Sequence, residues 1–261
     1  MNLSSIPSKL KIKKGDTLFI HSSSNFLNAS PSECQKIIKK FLEAVSDSGS
    51  IFMPSYIWRG PPGYPNEGEI FDVKNSHSKV GLLSELFRRT EGVHRSLHYW
   101  VPICGIGPKK NEILNNQEEV VQPFGENSSH RRLLENEAKI VGLGVSLNTS
   151  SLSHLVDYRL NDQYPFNVFT DFPIRGKVID YENKTLNTKT IIVRPKVMNS
   201  YKPSLLIKES RKLQDELIYE NHKNIIYFSY SIKTYYDEGL KIGKNYLSQK
   251  ATPPWLNNVF L

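Results

Sequence analysis

The chain has 261 residues, 38% hydrophobic and 23% charged, enough to bury roughly three quarters of its unfolded surface without staples. Its two cysteines, Cys34 and Cys104, lie in no CxxC or Cys/His spacing, which excludes a disulfide scaffold and a zinc ribbon and leaves two reduced thiols. A net charge of +8, most of it in residues 171–261, suits an anionic partner or a solvated basic face.

No run approaches the ~20 apolar residues of a bilayer span, and the first 20 residues carry only a short apolar run at 17–20. The chain therefore reads as cytoplasmic, without a cleaved leader. Residues 17–21 read as a strand. After a turn at 28–31, Ile37, Ile38, Phe41, Leu42 and Val45 share one helical stripe with Ser32 as N-cap. Residues 50–53 form a second strand, and the Gly/Pro-rich stretch 60–65 is a long loop of the kind that builds sites. A helix carrying Leu82, Leu83, Leu86 and Phe87 starts near Ser78. Residues 103–106 and 139–143 are two more buried strands, each followed by glycine. The recurring order of strand, turn and helix predicts an α/β class, a three-layer α/β/α domain around a central mixed sheet. From Pro173 the texture changes: residues 176–180 and 190–193 flank Asn183 and Lys184 as a hairpin, and 204–219 read as a helix through Leu205, Leu206, Leu213 and Leu217. The predicted division is a core at 1–172 and a C-terminal β-hairpin/helical subdomain at 173–261, packed on the core.

Familiar catalytic signatures are missing. There is no GxxxxGK[ST] and no GxSxG, and Gly105/Gly107 and Gly142/Gly144 each make half of a GxGxxG, so nucleotide hydrolysis, Rossmann chemistry and serine-hydrolase chemistry have no anchor. Polar clusters instead follow the predicted strand ends, where ligand crevices of open α/β sheets form. They are His21 to Ser24, Ser55 and Tyr56, Ser76 to Lys79, His98, the stretch 123–129 with Glu126, and 148–157 with His154 and Asp157.

In order, the chain shows GDTLFIHSS at 15–23, FMPS at 52–55, FD at 71–72, SHS at 76–78, GLLSE at 81–85, RSLH at 95–98, PFGE at 123–126, VGLG at 141–144 and HLVD at 154–157. This series resembles the aminoglycoside 3-N-acetyltransferases, acyl-coenzyme A dependent enzymes, over roughly residues 13 to 160. Three departures stand out. Tyr99 to Pro102 replace the P-x-x-S that follows the histidine in the family, Asp157 stands where the family has glutamate, and His77 replaces the proline of a T-P-S triplet.

The resemblance implies an acyltransferase whose co-substrate is acetyl-CoA or another short acyl-CoA, with no metal. It makes 1–172 the acyl-CoA-binding and catalytic core, and His154 the general base for direct attack of an amine. A helix over 153–160 would set Asp157 one turn away to orient the imidazole. Glu126 is a candidate second carboxylate, or an exposed turn residue. Ser22, Ser23, Ser78, Lys79, Val80 and Gly81 are assigned to the donor, since serine hydroxyls and N–H groups at a helix start suit phosphates. Tyr56, His98, Tyr99 and Trp100 are assigned to the acceptor, although Tyr99 and Trp100 suit a core equally well.

The basic net charge favours an anionic acceptor over a polycation. The expected substrate is therefore a nucleotide-linked amino deoxysugar used in surface polysaccharide synthesis, with a drug-modifying aminoglycoside 3-N-acetyltransferase conferring antibiotic resistance as the alternative. The expected partner is this small molecule, with no nucleic acid or membrane, in a chain that forms a homo-oligomer or acts alone. A remote alternative is a non-catalytic nucleic-acid or carbohydrate binder, stacking bases on Tyr227, Tyr230, Tyr235, Tyr236 and Tyr246 of the basic last third.

Overall fold

The computed structural model describes residues 5–23, 29–58, 64–222 and 225–256. Ser24, Asn28 of the 28–31 turn and residues 60–63 of the 60–65 loop lie outside the described residues. Strands are β1 (Thr17–Ser22), β2 (Ser50–Pro54), β3 (Ile70–Asp72), β4 (His94–Arg95), β5 (Ile103–Ile106), β6 (Lys139–Leu143), β7 (Ile174–Ile179), β8 (Thr185–Thr190), β9 (Ile218–His222) and β10 (Ile225–Ser231). Seven of them form one mixed sheet in the order β4-β5-β2-β1-β6-β10-β9. β1 runs parallel to both β2 and β6, while β5, β4, β10 and β9 add antiparallel flanks. A second sheet of three strands has the order β3-β7-β8.

The central strands are buried along their length because both faces of the sheet are covered. On one face Leu18, Ile20, Ile51, Met53, Val141 and Leu143 pack with Ile37, Ile38 and Phe41 of the helix Pro31–Val45. On the other, Phe19, Phe52, Ile140 and Phe228 join a larger core that includes Leu155, Leu206, Tyr235 and Trp255. This is the expected three-layer arrangement. Both cysteines are buried in the first of these cores and are packing residues.

Local chemistry moves several expected boundaries. The first long helix is capped by Ser30, two residues before Ser32. The Ser30 hydroxyl accepts from Glu33 N–H at 3.3 Å and the Glu33 carboxylate accepts from Ser30 N–H at 2.8 Å, with Pro31 preset at the first helical position. The next helix starts at Leu82, because Gly81, at φ +126°, lies outside helical backbone. The hairpin is confirmed with a shifted second strand. The polar, β-branched run Thr185–Thr190 pairs with Ile174–Ile179, whereas Ile191 bonds Val121 and Val193 bridges Phe169. The predicted helix 204–219 is broken at Ser210, whose extended backbone caps a second short helix, Arg211–Glu216, and β9 begins at Ile218.

A division at 172/173 runs through the large sheet. β10 pairs with β6 over five residues, and β9 closes the edge. The final helix, Ile232–Ser248, packs Gly239 against Val156 and Gly243 against Leu160. Tyr227, Tyr230 and Tyr235 are 1%, 3% and 1% exposed, Tyr236 stacks beneath Arg131, and the Tyr246 hydroxyl meets Glu209. Three of the five tyrosines therefore have no face to offer a base, and the base-stacking alternative loses its surface. Among the described residues no helix is long and apolar enough to cross a membrane.

Candidate active site

The carboxyl ends of β1 and β6 open toward the segment 144–153, where the 3₁₀ turn Ser151–Ser153 leads into the helix His154–Leu160. This entry sets His154 and Asp157 one turn apart on the inner face. His154 Nδ1 lies 3.1 Å from Asp157 Oδ2, and the two residues are 3% and 0% exposed. The other carboxylate oxygen, Oδ1, accepts from the Tyr164 hydroxyl at 3.2 Å and from the Trp255 indole N–H at 3.1 Å. A buried carboxylate needs such donors to offset the loss of water. The Tyr201 ring stacks on the imidazole at 4.4 Å and Phe124 stands 5.1 Å away. With Nδ1 turned to Asp157, Nε2 is the nitrogen left for chemistry. His154 lines a cavity of about 340 Å³ with Tyr56, Trp100, Val101, Ser151 and Met198.

Three further histidines are buried nearby. His21 ends in β1 against Phe19, His130 sits in the helix Ser129–Glu135, and His98 follows β4. Burial pushes His21 down to about 4 and His98 down to about 3. His130 falls well below the usual histidine range through burial first, then through the repulsion of His98, His21 and His154. Among the described residues no three His, Cys, Asp or Glu side chains are arranged to hold a metal ion.

The donor-side residues fall in one neighbourhood. A Cβ built on Gly81 would stand 3.4 Å from the Ser22 carbonyl, so β1's end abuts the start of the helix Leu82–Arg88. Ser22, Ser23, Val80 and Gly81 are half-buried there, and Lys79 is exposed. Several backbone donors are already engaged. Ser23 N–H bonds Leu143, Lys79 N–H bonds Tyr56 at 2.7 Å, and Ser78 N–H bonds the Glu85 carboxylate at 2.8 Å. Glu85 is held well below the usual carboxylate range: burial opposes this, but Arg88, the Ser78 N–H and Arg89 outweigh it.

The acceptor-side set divides. Tyr56 and Trp100 line the cavity with His154. Tyr99 is a core residue instead: it is 1% exposed, its hydroxyl bonds the Asn66 and Glu69 carbonyls, and its ring lies against Gly176. His98 is structural too, its Nδ1 accepting the backbone N–H groups of Trp100 and Val101 at 3.1 and 3.2 Å. Glu126 stands apart from His154, 63% exposed and 3.5 Å from Arg131. It lines two adjoining clefts of about 420 and 560 Å³ that share Gln122 and Tyr158. Phe124, on the wall of the His154 cavity, packs on Phe169 of the first cleft.

Tyr164, Tyr201, Trp255 and His130 were not reached from sequence, and Ser151 fell in the 148–157 cluster without a role of its own. Trp255 lies 98 residues from Asp157, so no local spacing announces it.

The profile of the aminoglycoside 3-N-acetyltransferase family matches residues 19–196. The SPbeta prophage-derived aminoglycoside N(3')-acetyltransferase-like protein YokD of Bacillus subtilis is 30% identical over 195 residues, 68% of this chain and 71% of that protein. Among solved structures, AAC-IIIb in a binary complex with CoASH superposes with a TM-score of 0.74 at 16% identity, covering 97% of both chains. Aminoglycoside acetyltransferase AAC(3)-IVa in complex with a gentamicin gives a TM-score of 0.71 at 18% identity, covering 93% of this chain and 87% of that one.

Proposed function

The chain belongs to the aminoglycoside 3-N-acetyltransferase family and is an N-acetyltransferase with an acyl-coenzyme A donor, and we propose that its acceptor is a polycationic aminoglycoside deprotonated by His154. The observation that carries this reading is the buried His154–Asp157 pair on a cavity wall. Acetyl-CoA supplies an activated thioester carbonyl. The protein must supply a neutral amine, because amino-sugar amines are largely protonated near neutral pH. His154 Nε2 takes the proton as the amine attacks and returns it to the coenzyme A sulfur as the C–S bond breaks, leaving the amide and the free thiol. Asp157, anchored by Tyr164 and Trp255, keeps Nδ1–H in place and stabilises the imidazolium that forms. Ser22, Ser23, Val80 and Gly81 would hold the donor, with Lys79 meeting its phosphates. Gly81, whose φ of +126° favours glycine, sets the backbone where the end of β1 meets the start of the helix.

Charge supports the acceptor class. The expectation of a nucleotide-linked sugar rested on the net charge of +8, but the clefts beyond Phe124 are acidic. Glu126, Asp162 and Asp171 line the first with Arg159 as its one cation, and Glu119 and Glu126 line the second with Arg132. Glu126 and Asp171 pair with Arg131 and Arg194, exposed contacts that a ligand ammonium can replace at little cost. Arg131 and Arg194 offset two of these carboxylates, so the support for a polycation over a diphosphate comes from Glu119 and Asp162, which carry no such pair among the described residues. The test is thiol release from acetyl-CoA with gentamicin and apramycin against a panel of nucleotide-linked amino sugars. Turnover of the aminoglycosides supports the reading. Turnover confined to the nucleotide-linked sugars overturns the acceptor class and leaves the base assignment standing.

A further inference from the structure

Three side chains from separate segments meet on the wall beside His154. Tyr56 follows β2, Ser151 opens the 3₁₀ turn before His154, and His130 belongs to the helix Ser129–Glu135. The Tyr56 hydroxyl donates to Ser151 Oγ at 2.9 Å, and His130 Nε2 lies 3.3 Å from Ser151 Oγ and 3.5 Å from the Tyr56 hydroxyl. Tyr56 and Ser151 both line the cavity that holds His154.

The protons of this triangle can be assigned. The Tyr56 proton is spent on Ser151 Oγ, and among the described residues His130 Nε2 is the acceptor within hydrogen-bond reach of the Ser151 hydroxyl. That assigns the lone pair to Nε2 and the ring proton to Nδ1. Burial keeps the ring neutral, so Nε2 carries a lone pair and accepts. The triangle then holds two hydroxyl protons, and both are used inside it. One goes to His130 Nε2 and the other joins the two oxygens. Exchanging the roles of the hydroxyls leaves the count unchanged. Neither oxygen has a proton left for a ligand, and each keeps lone pairs toward the cavity.

We propose that Tyr56 and Ser151 form an acceptor-only subsite that receives the N–H groups of the incoming amine beside His154. The same polarity excludes an oxyanion hole at this position, since a developing oxyanion needs donors. The subsite also disfavours an acceptor bearing an ether or carbonyl oxygen in place of the amine. The inference rests on the acyl-transfer reading above for the identity of the ligand, while the polarity of the subsite follows from His130, Ser151 and Tyr56 alone.

The experiment compares binding of gentamicin, and of its analogue with hydrogen in place of the 3-amine, by calorimetry without coenzyme A. The wild-type protein, Ser151→Ala, Ser151→Thr and Tyr56→Phe are measured. A hydrogen bond to a charged group is worth about 10- to 100-fold in affinity. Ser151→Ala should weaken the amine by that factor, leave the deamino analogue within about twofold, and be rescued by Ser151→Thr. In turnover the loss should fall on the acceptor KM more than on kcat, with coenzyme A binding unaltered. Wild-type protein that binds both compounds alike, or neither, overturns the proposal. So does an equal loss for both compounds in Ser151→Ala. An acyl group found on Ser151 by intact mass after incubation with acetyl-CoA alone also overturns it, by making Ser151 a nucleophile with His130 as its base. Failure of the acyl-transfer reading is separate: the wild-type protein would then release no thiol from acetyl-CoA with any amine, whatever Ser151→Ala does to binding.

Discussion

Three buried neutral histidines make the fold acid-sensitive in a defined pH window. His21, His98 and His130 are 4%, 2% and 1% exposed, and burial holds them to about 4, about 3 and well below the usual range. In the unfolded chain each titrates near 6.5. Their folded pKa values are depressed, so the stability they confer is complete above pH 6.5 and is lost as pH falls toward their folded values. At pH 5.5 the unfolded chain holds about 0.9 more protons at each site, giving a slope of about 4 kcal/mol per pH unit for the three. Integrated from pH 6.5 to 5, the loss is about 5 kcal/mol, comparable with the whole stability of many domains. His94 adds in the same direction, and Glu85, also depressed, contributes mainly below this window. Urea unfolding followed by circular dichroism at pH 8, 6.5, 5.5 and 5 measures the curve, which should be flat above pH 7.5. A loss under about 1.5 kcal/mol between pH 6.5 and 5, one histidine's worth, would refute the assignment of three neutral buried rings.

Two other perturbations separate catalysis from packing. Trp255→Phe keeps the ring in its pocket but removes the 3.1 Å bond to Asp157 Oδ1, leaving Tyr164 alone on that oxygen. We expect kcat to fall about 10-fold with the acceptor KM within twofold, as for loss of a bond to a charged group behind a catalytic histidine; unchanged kcat would show that Trp255 does not position the carboxylate. Gly176→Ala would set a Cβ 1.9 Å from the Tyr99 ring. It should cost about 1–3 kcal/mol by overpacking, read as a lower Tm with kinetic constants unaltered, and an unaltered Tm would contradict the core placement of Tyr99.

The parallel centre of the fold was legible in the sequence because β1, β2 and β6 are short apolar runs ended by polar residues or glycine, and a strand buried on both faces needs no alternation. β9 and β10 were not. Ile225–Ser231 alternates aromatic and polar residues in a way that resembles a stacking surface as much as a buried strand, and only its pairing with β6 decides between them. The His154–Asp157 pair was legible because it is local, one turn of one helix. Its supports, Tyr164 and Trp255, are contacts made by tertiary packing, and the Tyr56–Ser151–His130 triangle joins segments up to 95 residues apart. Net charge pointed to an anionic acceptor, whereas carboxylates line the clefts beyond Phe124; most of the basic excess lies in the last third of the chain.

In the proposed mechanism one imidazole removes the proton from the attacking amine. The decisive measurement is single-turnover transfer from acetyl-CoA to gentamicin by wild type and His154→Ala, with coenzyme A affinity determined in parallel. His154→Ala should be slower by about 10²- to 10⁴-fold with coenzyme A affinity unchanged. Transfer at the wild-type rate in His154→Ala would contradict it.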